Sequence, residues 1–516
     1  MKKVLKIIFG VLGLVIGLVI VAAIVLPLVI DPNDYKDEIT RKVAEQTGRT
    51  LAIEGDIDLS VFPWLGLDIG PTQLSNAQGF GDQPMARMQA VQVRVKLLPL
   101  LRKQLEMDTV KLSGLQLNLA KDKQGRTNWA DLQGAADAEE KPAAEEERAG
   151  TGCMLEGLAI SGIEVSDARL IWDDRASNAH YEVNDLAFKT GAIRPAAPFD
   201  LDLQFRVTSG EPAMQTAFDL SGAVLLGESL QTVAVNKAAL QLDLQGAAVP
   251  GGEMRVSLAT DVALDLEKQT LTLPELVLKL AGLTITGNVA GTAITGDDPR
   301  FSGALRIAEF VPRDVLKALG QAAPETADGS VLGKADALVN WEASTKHAAA
   351  TTLQVRLDDT KLEGQASVRQ FDAPAIAFSL QVDQIDLDRY LPPVPKDPDA
   401  QKPAAESGES GELPLEALRG LNLDGTVKVG NLKAYNLRST DVNMRIKANN
   451  GVLRINPAGA RMYDGQYRGD ITVDASRDTA RIALDEHITG VRAGPLLKDL
   501  TGKEQLLGTA ELHAQL

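Results

Sequence analysis

Apolar and polar residues alternate along much of the chain after residue 49. Leucine or valine occupies every second position in four short runs, and mostly polar residues fill the positions between them. This period places apolar side chains on one face of a β-strand and polar side chains on the other, which is typical of antiparallel sheets. The apolar members of the four runs form the candidate functional face: Leu115, Leu117, Leu119, Leu240, Leu242, Leu244, Val262, Leu264, Leu266, Leu276, Leu278 and Leu280.

A few short helices and tight turns are predicted between the strands. Apolar residues recur at helical spacing within 33–46, and Gly48 suits the end of that helix. Proline-led segments at 312–319, 414–418 and 495–500 predict further short helices. The pair Asp464-Gly465 predicts a β-hairpin.

A small residue followed by glycine interrupts the alternation three times, at Ser113-Gly114, Ser161-Gly162 and Ala281-Gly282. The parity of the apolar positions changes across each pair. A bulge or sharp bend at the glycine would keep the apolar side chains on one face, whereas a simple slip would expose them. Three unrelated turns are the alternative interpretation.

The N-terminus predicts a membrane anchor. Residues Ile7 to Ile30 carry no charge over 24 positions, and a helix of this length extends ~36 Å, enough to cross a bilayer. Lys2, Lys3 and Lys6 precede it, which predicts a cytoplasmic N-terminus and export of everything after Asp31. A cleaved signal peptide is the alternative, although its apolar region usually has only ~7–15 residues.

Two stretches contain little that could be buried. Residues 133–150 are rich in acidic residues and alanine, and residues 392–413 are rich in proline, serine, glycine and charge. We interpret both as solvated, mobile linkers or loop insertions. The predicted organisation is therefore a stub and anchor at 1–30, a first β module at 31–132, a central β module at 151–391 and a C-terminal β module at 414–516.

Composition and motifs exclude several classes of protein. The formal charge is −17, from 53 basic and 70 acidic residues, and no basic cluster follows residue 6, which argues against nucleic-acid binding. The one cysteine, Cys153, excludes an internal disulfide, and the four histidines lie far apart in sequence. No familiar hydrolase, dinucleotide-binding or phosphate-loop motif is present. We therefore predict no catalytic, cofactor-binding or metal-binding residue and no enzymatic activity.

The chain resembles the AsmA family of inner-membrane-anchored periplasmic proteins. The resemblance rests on a series of short motifs that occur in this order after the predicted anchor: Asp31-Pro32-Asn33-Asp34-Tyr35, Thr47-Gly48-Arg49, Phe62-Pro63-Trp64-Leu65-Gly66-Leu67, Leu97-Leu98-Pro99-Leu100-Leu101, Gly125-Arg126-Thr127-Asn128-Trp129, Trp172-Asp173-Asp174-Arg175, Asp388-Arg389-Tyr390-Leu391-Pro392 and Tyr463-Asp464-Gly465-Gln466-Tyr467. Family members usually continue well past 506–509, so the resemblance leads us to expect a truncated C-terminus.

The resemblance implies a fold and a role. The family is similar to bridge-like lipid transfer proteins with a repeating β-groove, and it is implicated in outer-membrane assembly, phospholipid supply and outer-membrane protein targeting. We expect a mainly β protein, with an N-terminal transmembrane helix followed by a long, bent, mostly antiparallel β-groove and a few short helices. The expected partners are the bacterial inner membrane, phospholipid and an outer-membrane or periplasmic protein.

Two alternatives have the same sequence pattern. Closed β domains could form a scaffold or regulator of outer-membrane protein targeting that binds a protein partner and no lipid. An exported hydrolase with an unrecognised site is the second alternative.

Overall fold

The computed structural model describes residues 31–516 except 62–63, 98, 100–104, 133–157, 195, 228, 230, 394–417, 478 and 505. The predicted anchor and the acidic linker at 133–150 lie outside the described residues, as do all but two residues of 392–413. Within the described ranges, no helix combines the length and the apolar character needed to cross a membrane.

The described chain is mainly β, and nearly all strand pairs are antiparallel, as the alternation predicts. It divides into two compact units, Met1–Glu267 and Lys268–Leu516. The boundary between these units falls inside the predicted central module.

The described part of the first unit starts with two helical segments and continues as sheet. A 3-10 helix at Pro32–Tyr35 leads into helix α1, Lys36–Thr47, which ends at Gly48 in the left-handed conformation (φ 67°), as predicted. The strands are β1 Leu51–Ile53, β2 Ile57–Ser60, β3 Trp64–Ile69, β4 Thr72–Leu74, β5 Ala86–Met88, β6 Ala90–Lys96, β7 Leu105–Ser113, β8 Gln116–Lys121, β9 Leu158–Asp174, β10 Ala179–Thr190, β11 Phe199–Ser209, β12 Met214–Leu226, β13 Thr232–Gly246 and β14 Glu253–Asp265.

Strand β9 organises the sheet of the first unit. Its N-terminal half pairs in parallel with β7 and its C-terminal half pairs in parallel with β8. Strands β9 to β14 then follow one another as antiparallel neighbours in chain order.

The second unit is a longer run of neighbouring strands. Its strands are β15 Thr270–Leu280, β16 Leu283–Thr292, β17 Arg300–Phe310, β18 Ala335–Ala343, β19 His347–Leu357, β20 Thr360–Arg369, β21 Ala375–Asp386, β22 Asn422–Ala434, β23 Leu437–Asn449, β24 Val452–Met462, β25 Gly465–Asp474, β26 Arg481–Arg492 and β27 Thr509–Gln515. Helix α2, Pro312–Ala318, follows β17, and helix α3, Ala493–Thr501, follows β26, both where short helices are predicted. All successive strands pair antiparallel except β21 and β22, which are parallel.

The three small-residue–glycine pairs have three different structures. Gly114 (φ 61°) separates β7 from β8 while both remain paired to β9. Gly162 lies inside β9, where an added Cβ would be 2.6 Å from the carbonyl oxygen of Thr190. Ala281 and Gly282 (φ 48° and 82°) form the two-residue turn between β15 and β16, so the predicted bulge is wrong there.

The hairpin predicted at Asp464-Gly465 is present, but its turn lies one residue earlier. Met462 pairs with Gly465, and Tyr463 and Asp464 are the two turn residues, with φ 46° and 67°. Positive φ at both central residues defines a type I′ turn, which matches the twist of an antiparallel pair.

Candidate functional site

The strand register of the first unit aligns apolar residues into a row across eight strands. Residues directly opposite each other in paired strands point to the same face of the sheet. One such row runs from β6 to β14 through Val91, Leu112, Val165, Phe188, Leu203, Leu220, Leu240 and Leu258. Next to it, the rings of Phe205 and Phe218 stack with centroids 4.5 Å apart.

The second unit has a row of the same kind across nine strands. It runs from β15 to β23 through Leu276, Gly287, Leu305, Val339, Leu353, Gly364, Leu380, Val427 and Met444. At ~4.8 Å between strands, this row extends about 38 Å along the sheet. We call the two rows and their apolar neighbours the apolar face of each unit.

The side chains of the apolar face are only half-buried. Every residue of both rows is of intermediate exposure, and no leucine in the described part of the chain is buried. The largest fully buried side chains among the described residues are Val331, Val491 and Asn128. In a β-sandwich a second sheet covers such a face and buries its leucines, so within each unit the apolar face has the exposure of an open sheet.

A bulge in β13 keeps the apolar residues of that strand on one face. Val235 opposes Val262 and Leu240 opposes Leu258, although the intervening segment of β13 is one residue longer. Lys237 is the extra residue, with φ 52°, and its N–H donates to the Asp261 carboxylate at 2.7 Å. Similar irregularities occur on many strand pairs, and each bulge bends its strand.

The opposite face of each sheet is polar and carries ion pairs between neighbouring strands. Asp200, Asp202, Gln204 and Arg206 of β11 are exposed. Arg356 on β19 lies 2.6 Å from Asp336 on β18, and the neighbouring carboxylate raises the pKa of the Arg356 guanidinium. The charged side chains of these strands therefore lie on the side of the sheet opposite the apolar face.

The structure places the predicted candidate residues on the strands of the apolar faces with two exceptions, of which the first, Leu115, lies between β7 and β8. Leu117 aligns with Leu170 and Val183, and Leu264 aligns with Val233. Leu276, Leu278 and Leu280 lie on β15 in the second unit. Leu266 lies beyond the end of β14 and is 39% exposed. Contact of these residues with lipid stays a prediction.

The predicted candidate residues do not include the apolar residues of β11, which also lie on the apolar face. Phe199, Leu201, Leu203, Phe205 and Val207 alternate with polar residues and are buried or half-buried. The same period-two signal identifies them in the sequence, with phenylalanine in place of some leucines.

A buried arginine joins two of the motifs on which the family resemblance rests. Arg49, 2% exposed, donates to the carbonyl oxygen of Asn128 at 2.6 Å and to the carboxylate of Asp131. The hydrogen bond and charge of Arg49 lower the pKa of Asp131. Asn128 in turn donates to Asn76 and to the Asn118 carbonyl at 2.8 and 2.7 Å.

A second polar cluster surrounds the motif at 388–392. Asp358 accepts hydrogen bonds from the backbone N–H groups of Leu332, Gly333 and Lys334 and from the Tyr390 hydroxyl. Burial, together with Asp358, raises the pKa of Tyr390 to about 12. These hydrogen bonds tie the segment 388–392 to the backbone at 332–334.

The fold and its half-buried apolar face define a strand-rich protein with an open apolar sheet surface. A sequence model of the AsmA family matches residues 1–205 and 200–516, and the chain belongs to this family. It is 22% identical over 505 residues to Protein AsmA of Escherichia coli strain K12, a match that covers 94% of this chain and 67% of that protein. No solved structure matches the chain.

Proposed function

We propose that this protein supports outer-membrane assembly by holding or transferring phospholipid along its apolar face. It would be a non-enzymatic protein anchored in the inner membrane by residues 7–30, with the remainder in the periplasm. Family membership and the large open sheet fit such a role. The observation that carries the proposal is the row from Leu276 to Met444, half-buried along its whole length.

The physical basis is the transfer of acyl chains from water to an apolar surface. Each buried methylene contributes about 0.8 kcal/mol. The free protein leaves its leucines partly in contact with water, and an exposed apolar surface of this extent is unusual unless something binds it. Acyl chains would cover the apolar face while the headgroup stays at the wet edge of the sheet.

The proposal is tested with charged substitutions on the two faces of β15. Leu278→Asp places a carboxylate among the acyl chains, where its desolvation is costly. Thr272→Asp is the matched control, because Thr272 lies on the exposed face of the same strand. We expect phospholipid in mass spectra of the purified wild-type and Thr272→Asp proteins and a strong loss from Leu278→Asp.

Circular dichroism and thermal unfolding separate lipid loss from unfolding. On an open face water reaches the new carboxylate when lipid leaves, so Leu278→Asp should retain the native spectrum. In a closed core the same change destabilises by several kcal/mol. Unfolding of Leu278→Asp, together with wild-type protein that carries no lipid, would favour the closed scaffold instead. Release of the protein by alkaline carbonate would contradict the anchor.

A further inference from the structure

Strands β26 and β27 place two of the four histidines opposite each other. His487 and His513 are register partners, and their imidazole rings stack with centroids 4.0 Å apart and planes 17° apart. Asp485 lies two residues before His487 and therefore on the same face. Its Oδ1 is 3.0 Å from Nε2 of His487 and 3.1 Å from Nε2 of His513. One carboxylate oxygen thus meets two imidazole nitrogens from adjacent strands.

We propose that Asp485, His487 and His513 form a Zn²⁺ site, which we call the β26–β27 site. Imidazole nitrogen and carboxylate oxygen are common zinc ligands with bonds of about 2.0–2.2 Å, and such donors suit late first-row cations better than Mg²⁺ or Ca²⁺. One ligand atom from each residue already lies within 4.8 Å of the other two. The atoms around a tetrahedral zinc ion are about 3.3 Å apart, so the two distances from Asp485 Oδ1 need to open by only a few tenths of an ångström. The two stacked rings must also rotate, so that both Nε2 lone pairs point at the ion.

The surroundings allow a cation to enter. The side chains of Asp485, His487 and His513 are 45%, 44% and 56% exposed. Arg468 opposes His487 and Asp470 opposes Asp485 across the β25–β26 pair, so one positive and one negative side chain flank the site on that side. Three protein ligands leave the fourth position of a tetrahedral ion to water.

Zinc at this position would connect β27 to β26. Among the described strands β27 pairs with β26 alone, and nearly all its residues are exposed. Its attachment therefore depends mainly on backbone hydrogen bonds. Simultaneous coordination by His487 and His513 adds a cross-strand link that the lipid-holding role does not require.

The test is titration of the purified full-length chain, produced without a histidine tag, with ZnCl₂ and with MgCl₂. We expect one Zn²⁺ per chain by calorimetry and native mass spectrometry, removal by a chelator and no binding of Mg²⁺ at this site. His513→Ala and His487→Ala should each weaken zinc binding at least about tenfold, because each removes a direct ligand and even outer-shell losses cost 10–100-fold.

His180→Ala is the matched control. His180 is also a half-exposed strand histidine beside two carboxylates, with Nε2 3.5 Å from Glu182, but no second histidine opposes it. Circular dichroism establishes that each variant is folded. Equal loss of zinc in His180→Ala and His513→Ala, or no stoichiometric zinc in the wild type, would overturn the site.

Hydrogen exchange tests the cross-strand link itself. Zinc should slow exchange of the β27 amides in the wild type and leave it unchanged in His513→Ala. Stoichiometric zinc without slower exchange at 509–515 would overturn the link between the two strands.

Discussion

Arg49 is buried among polar partners although it directly follows the end of an exposed helix. Its guanidinium reaches Asn128 and Asp131, some 80 positions later in the chain. In the second unit Arg389 likewise joins Asp328 and Asp359, with nitrogen–oxygen distances of 2.8 and 3.0 Å. Arg49 and Arg389 therefore each connect segments of one unit that lie far apart in the sequence.

Arg49→Ala should destabilise the first unit by about 2–3 kcal/mol, because it leaves the buried Asn128 carbonyl without its donor and creates a cavity. Arg126→Ala is the control, from the motif that contains Asn128. Arg126 is 72% exposed and pairs with Asp122, so its loss should cost less than about 1 kcal/mol. Urea unfolding, monitored by the fluorescence of Trp129 and Trp172, measures the change in unfolding free energy of both variants. Equal changes would contradict the stabilising role of Arg49.

The Asp328 carboxylate gives the second unit a pH-dependent contribution to stability. Hydrogen bonds from Ser330, and then Arg389, lower the pKa of Asp328 from 3.8 to about 2. A carboxyl group whose pKa is lower in the folded state stabilises it above its unfolded pKa, and this contribution disappears as pH falls through the folded pKa. The window is therefore pH 4 to 2.

Asp328→Asn isolates this contribution. The difference in unfolding free energy between wild type and variant should be constant above about pH 4.5 and shrink toward pH 2. Urea titrations at several pH values measure it. A difference that does not change across this window would show that Asp328 has an ordinary pKa.

Among the structural elements, the sequence predicts strands better than it predicts their junctions. Alternation identifies β13, β14 and β15 correctly, and Gly48 identifies the end of α1. The pair Ala281-Gly282 resembles Ser113-Gly114 in sequence, but it forms a hairpin turn because Leu280 and Leu283 pair with each other. Local sequence cannot distinguish these outcomes, since the partner strand decides which residues are left in the turn.

Two glycines in the row of the second unit allow close strand approach. A Cβ on Gly287 would lie 2.0 Å from the carbonyl oxygen of Ala304, and one on Gly364 would lie 2.2 Å from that of Ser379. These contacts are with backbone atoms, which cannot move aside as a flexible side chain can.

Gly364→Ala should therefore destabilise the second unit by about 1–3 kcal/mol, the usual cost of overpacking. Gly329→Ala is the control, because nothing lies within 4 Å of the new Cβ, and its effect should stay within about 0.5 kcal/mol. Thermal unfolding compares the two variants. If Gly364→Ala is as stable as Gly329→Ala, the backbones of β20 and β21 do not approach each other so closely at Gly364.

At the scale of the whole molecule, alternation predicts a sheet with one apolar face but not what covers that face. An open sheet and a closed sandwich share the same period, and only the half-buried state of Leu240 or Leu353 distinguishes them. The pairing of His487 with His513 could likewise not be predicted from the sequence. The two residues are 26 positions apart, and only the strand register makes them neighbours.

The most direct test of the central claim is site-specific photocrosslinking along β20 in cells labelled with radioactive phosphate. A photoreactive amino acid replaces, one at a time, Leu362 and Ala366 on the apolar face and Glu363 and Gln365 on the polar face. An apolar face that holds lipid should give phospholipid adducts at 362 and 366 and none at 363 and 365. Adducts at all four positions alike, or at none of them, would contradict an apolar face that holds lipid.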